Sequence, residues 1–166
     1  MSNDRTAIAW TDATWSPIRG CSRVSEGCRH CYAERQALRI TRMDRGLGKP
    51  EGQGAYDGLV REGGGEARWT GQVRLVPELL DQPLRWRRPR RIFVNSMSDL
   101  FHEGLSEDAI LAVFLVMARA PQHTFQVLTK RPARMLALLT KWSGSMLPNV
   151  WLGVSAEDQT TLDARV

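Results

Sequence analysis

The sequence predicts an α/β fold of parallel strands with helices packed outside. Short apolar runs recur at residues 91–95 (RIFVN), 124–129 (TFQVLT) and 149–155 (NVWLGVS). Segments of helical length lie between them, and strands separated in this way pair in parallel. Each run also ends in polar residues, giving NSMSD, LTKR and GVSAED. In parallel α/β folds the C-terminal strand ends carry the ligand site. The tips Asn95, Ser96, Asp99, Thr129, Lys130, Ser155 and Glu157 are therefore expected on one face.

The elements follow in order. Ala7 to Arg19 is rich in Trp and Thr and reads as extended, and Cys21 to Cys31 reads as a loop with Gly20 and Gly27 as breakers. A helix starts near Cys31 and runs through YAERQALRITRM. Residues 46–65 hold eight of the 14 glycines with almost no apolar periodicity. They predict a flexible insertion at about 46–66 inside a single domain of 1–166, because the alternation resumes after it. Gln72–Val76 is an extended entry, and Pro77 with Glu78 opens a helix through Leu84. Arg91–Asn95 is a buried-type strand. Ser106 is an N-cap, with Glu107 and Asp108 favourable in the first turn. The helix behind it, AILAVFLVMARA, is apolar on nearly every face and is expected to be buried all round. Thr124–Thr129 is a strand, Pro132–Trp142 a helix, Asn149–Ser155 a strand, and Glu157–Arg165 begins a further helix.

The 166 residues are 42% hydrophobic and 25% charged, which excludes disordered, collagenous and disulfide-scaffold classes. No apolar run approaches the roughly 18 to 20 residues of a transmembrane helix. The start MSNDRTAIAW lacks the pattern of a secretory signal, so a cytoplasmic protein without membrane contact is expected. The net charge of +5 is concentrated in LRWRRPRR, which carries Arg85, Arg87, Arg88, Arg90 and Arg91 around Trp86. This segment reads either as a phosphate-facing nucleic-acid patch with a stacking aromatic or as a solvated surface whose Arg stems cover apolar groups.

The three cysteines stand at 21, 28 and 31. An odd number clustered in one loop argues against a disulfide framework. Cys28 and Cys31 have C-x2-C spacing, which brings two thiolates to one metal centre, and Cys21 supplies a third. Zinc in a structural site takes four ligands, the fourth here being His30, His102 or His123. An iron–sulfur cluster normally takes four cysteines, so three leave one iron open, as in catalytic rather than structural sites.

The blocks TDATWSPIRGCSRVSEGCRHCYAER, RIFVNSMSDLFHE, HTFQVLTKRP and NVWLGVSAEDQ resemble a family of phage-associated bacterial proteins named for a three-cysteine motif. That family is similar to the radical S-adenosylmethionine (SAM) enzymes. The likeness runs from about Trp10 to the C-terminus. It implies a partial (β/α) barrel of radical SAM type, incomplete at the C-terminus, because a full (β/α)₈ barrel takes about 250 residues and a radical SAM core has six strand–helix units. It implies a 4Fe–4S cluster on Cys21, Cys28 and Cys31, whose free iron chelates SAM. The cluster then yields a 5′-deoxyadenosyl radical that acts on an unknown substrate, nucleic acid being one candidate.

By the same resemblance, His30 packs beside the adenine. Ser96, Ser98 or Asp99 accepts the SAM ammonium, Ser155 and Glu157 face the ribose, and Lys130 or Arg131 pairs with the carboxylate. The C-x6-C gap between Cys21 and Cys28 departs from the usual C-x3-C. A partner protein is also implied. Two other readings stand beside this one: a zinc-binding nucleic-acid module without catalysis, and an inactive truncated relative.

Overall fold

A computed structural model describes residues 6–142 and 146–166. Its elements are β1 (Ala13–Trp15), β2 (Ile18–Arg19), α1 (Tyr32–Gly46), β3 (Val60–Gly63), β4 (Glu66–Trp69), β5 (Arg74–Leu75) and α2 (Pro77–Leu80). There follow β6 (Arg91–Val94), α3 (Glu107–Arg119), β7 (Thr124–Thr129), α4 (Pro132–Lys141), β8 (Val150–Val154) and α5 (Gln159–Arg165). The fold is mixed α/β. Four strands form one parallel sheet in the order β1-β6-β7-β8. β2 pairs antiparallel with β5, and β3 with β4.

Side chains alternate across a strand, and the main sheet uses that alternation. Trp15, Ile92, Val94, Phe125, Val127 and Val150 turn to one face, where they pack with Ile110, Val113 and Met117 of α3 and Leu138 of α4. The opposite row, Thr14, Phe93, Gln126 and Trp151, is aligned in register across all four strands and is only partly covered. The Ser106 hydroxyl caps α3 by accepting from the Ala109 N–H at 3.2 Å, as its position predicts.

Four expectations are corrected. The helix α3 is not buried all round: Leu111 and Leu115 face outward, because the helix lies on one side of a single sheet. The helix expected from Pro77 to Leu84 stops at Leu80 and resumes as a 3₁₀ turn over Gln82–Arg85, where Pro83 offers no N–H to continue the α-helical ladder. The cysteine loop contains a 3₁₀ turn, Glu26–His30. The Gly-rich stretch folds into a hairpin whose Tyr56, Leu59, Val60, Ala67 and Trp69 pack on Ala33 and Ala37 of α1 as a second core. Its apolar residues are too widely spaced to read as periodic, and the turn between β3 and β4 uses Gly64 and Gly65 at positive φ. Among the described residues no helix is long and apolar enough to cross a membrane.

Candidate functional site

The parallel sheet delivers its polar tips to one end, and the cysteine loop between β2 and α1 folds over that end. A cavity of about 220 Å³ results, lined by all three cysteines together with Ser96, Ser98, Asp99, Lys130 and Ser155. Glu157 stands just outside, ion-paired to Lys130 and accepting from the Ser25 hydroxyl at 3.0 Å. The cysteine loop and the β8–α5 loop approach so closely there that a Cβ on Gly27 would lie 2.3 Å from Glu157 Cγ. The convergence expected from the strand ends is thus present in the fold.

The roles inside that group divide. Asp99 is a structural hub: its carboxylate accepts from the Phe101 N–H (2.9 Å), the Thr129 hydroxyl (2.7 Å), the Lys130 N–H (3.0 Å) and Arg131 Nη1 (3.0 Å). Four donors leave it poorly placed to receive a ligand ammonium. Arg131 is equally committed, donating to Asp99, to Glu103 at 2.7 Å and to the Ser22 hydroxyl at 2.8 Å, so it is not the carboxylate clamp. The Ser98 hydroxyl donates to the Ile18 carbonyl at 2.9 Å and ties its tip to β2. The side chains of Ser96, Lys130 and Ser155 remain as polar groups facing the cavity.

Asn95 was expected only as a tip residue, and the structure gives it more. It sits at φ 58°, a left-handed conformation that Asn tolerates. Its Oδ1 accepts from the Ile18 N–H at 3.2 Å, which orients the amide. Nδ2 is then shut away from water with no acceptor among the described residues. A buried unpaired donor in a cavity wall fits a ligand that brings an acceptor.

The thiols differ. Burial pushes Cys21 up to about 11. Burial also works against the Cys28 thiolate, but hydrogen bonds at Val24 and Ser25 and the charge of Lys130 outweigh it and hold Cys28 below its ordinary value. Among the described residues no three His, Cys, Asp or Glu side chains are grouped to hold a metal ion. The thiols instead share the wall of one cavity. No histidine joins them there. His30 is exposed and lines an outer depression with Arg23, Arg29 and Arg68, so it does not pack into the cavity; the rings that line it are Tyr32, Trp69 and Phe93. His102 accepts from the Gly104 N–H at Nδ1 (3.0 Å) and meets the Ser22 hydroxyl through Nε2 (2.8 Å). His123 lies in the core against Phe125.

Sequence reading missed Glu34, which is 2% exposed. It accepts from Arg23 Nε at 3.0 Å and Nη2 at 2.6 Å, and from the Trp69 N–H at 3.1 Å. One carboxylate therefore fastens the cysteine loop, α1 and the β3–β4 hairpin together. An acid on the otherwise small-residue face of a helix (Ala33, Ala37) was the available signal.

The arginine segment enters β6 from its N-terminal side, at the end of the sheet opposite the cavity. Trp86 is buried, with the Arg90 guanidinium 4.9 Å from its ring centre, so it is no stacking platform for bases. Arg91 pairs with Asp12, while Arg85, Arg87 and Arg88 are exposed.

A family model described as "Protein of unknown function (DUF5131)" matches residues 5–166. No curated protein and no solved structure matches the chain.

Proposed function

The chain belongs to that family, and we propose that it holds an iron–sulfur cluster on Cys21, Cys28 and Cys31, with SAM on the adjoining strand tips, in a partial barrel like that of the radical SAM enzymes its sequence resembles. The observation that carries the reading is the single cavity shared by three thiols and the polar ends of three parallel strands. When bound, such a cluster would supply the electron for reductive cleavage of SAM.

The chain's own residues have separate tasks. The three thiols, which share the cavity wall, would be the ligands. Asn95 Nδ2 offers a donor to a ligand carboxylate. Lys130 stands at the rim with its charge paired to Glu157, so it reaches a ligand carboxylate only by giving up that pair. Ser96 and Ser155 offer hydroxyls to a ribose or an ammonium. Asp99 and Arg131 hold the tips and the Cys21 loop in place without touching the ligand.

The test is anaerobic reconstitution with iron and sulfide. The expected result is equal amounts of bound iron and acid-labile sulfide with charge-transfer absorbance, lost in Cys28→Ser and kept in Arg87→Ala. Absence of the absorbance, an unchanged yield in Cys28→Ser, or stoichiometric zinc in place of iron overturns the reading.

A further inference from the structure

The exposed side of the sheet carries a second cavity of about 240 Å³, beside the cysteine cavity and sharing Leu128 with it. Its floor is Gln126 on β7. On one side Trp10 lies against Phe93 of β6 with ring centres 4.8 Å apart. On the other is Trp151 of β8, directly opposite Gln126 in the strand register. Both indoles line this slot together with Gln126. Gly153 is next along the same face, where a Cβ would stand 2.8 Å from Leu128 Cδ2.

Two features say what the slot takes. Trp10 and Trp151 are 42% and 61% exposed, a large aromatic surface left in water. Gln126 Oε1 is shut away from water and has no donor among the described residues. An amide presents one acceptor beside one donor, the complement of the edge of a nucleobase. Among the described residues no charged side chain lines the slot.

We propose that the slot between Trp10 and Trp151 binds a neutral nucleobase, stacked on the indoles and hydrogen-bonded by the Gln126 amide. Binding needs neither metal nor SAM. That the base belongs to the molecule acted on rests on the reading above, because the slot opens beside the cysteine cavity.

The experiment is equilibrium dialysis of the metal-free protein against adenosine, guanosine, cytidine, uridine and thymidine, none of which carries a phosphate. At least one is expected to bind saturably. Trp151→Ala and Gln126→Leu are each expected to weaken it about tenfold, and Cys28→Ser to leave it unchanged. Trp151 is mostly exposed, so its removal does not threaten the fold. No saturable binding of any nucleoside, or parental affinity in Gln126→Leu, overturns the proposal. Nucleoside binding without iron uptake after reconstitution would sink the cluster reading alone, and iron uptake without nucleoside binding would sink this one alone.

Discussion

Arg131 Nη1 donates to Asp99 Oδ2 across 3.0 Å, with the two side chains only 4% and 7% exposed. The pair joins the tip of β6 to the tip of β7, and through Ser22 it reaches the loop that carries Cys21. Arg131→Met strands the buried Asp99 carboxylate and is expected to cost about 3–5 kcal/mol in urea denaturation. Asp99→Asn leaves Arg131 paired with Glu103 and is expected to cost less. The double variant should cost less than the two single losses added, since the Asp99 charge is then no longer stranded.

Glu34 joins three elements at once, so its replacement is expected to loosen them together. Glu34→Gln keeps the shape but removes the charge that Arg23 and the Trp69 N–H address. Hydrogen bonds to a charged group contribute about 1.5–3 kcal/mol, and a loss of about 2 kcal/mol is expected. Amide hydrogen exchange should quicken in the cysteine loop and in β3 and β4 while β6 and β7 stay protected.

Cys28 is expected to ionise before Cys21. Cys28 lies below the ordinary thiol value because hydrogen bonds and Lys130 overcome the effect of its burial, whereas burial carries Cys21 to about 11. Carbon-13 shifts of labelled cysteine in metal-free protein report each ionisation. The Cys28 step should vanish in Cys28→Ala and the later Cys21 step in Cys21→Ala.

His123 sets a pH dependence at the other end of the sheet. Burial holds its folded value below the ordinary 6.5, although hydrogen bonds at Pro83 and Trp86 oppose the shift. Its Nδ1 is buried with no partner among the described residues. The unfolded chain therefore binds a proton at a pH where the folded chain does not, and stability falls as pH drops below about 6.5. His102, lowered first by burial and then by Arg131, acts in the same direction. Thermal melts from pH 8 to pH 5 should show the fall, and His123→Phe should flatten part of it.

Much of this was legible along the chain. Short apolar runs, Ser106 before an acidic first turn, and Gly and Pro at breaks are local signals, and they located β6, β7, β8 and the helices between them to within a few residues. Strand direction then followed from the connections, and with it the gathering of Ser96, Ser98, Lys130 and Ser155 beside the cysteines.

What the chain could not display is which polar groups spend their hydrogen bonds on each other. Asp99 and Arg131 are ligand contacts by the family resemblance, yet they pair with one another 32 positions apart. Trp86, amid arginines, turned inward, while Trp10 and Trp151 were left in water on the open side of the sheet. Local pattern determines the elements because backbone conformation answers to neighbouring residues. Exposure and pairing are decided by contacts between distant segments, such as Arg23 with Glu34 or Gln126 opposite Trp151, and those exist only once the chain has closed on itself.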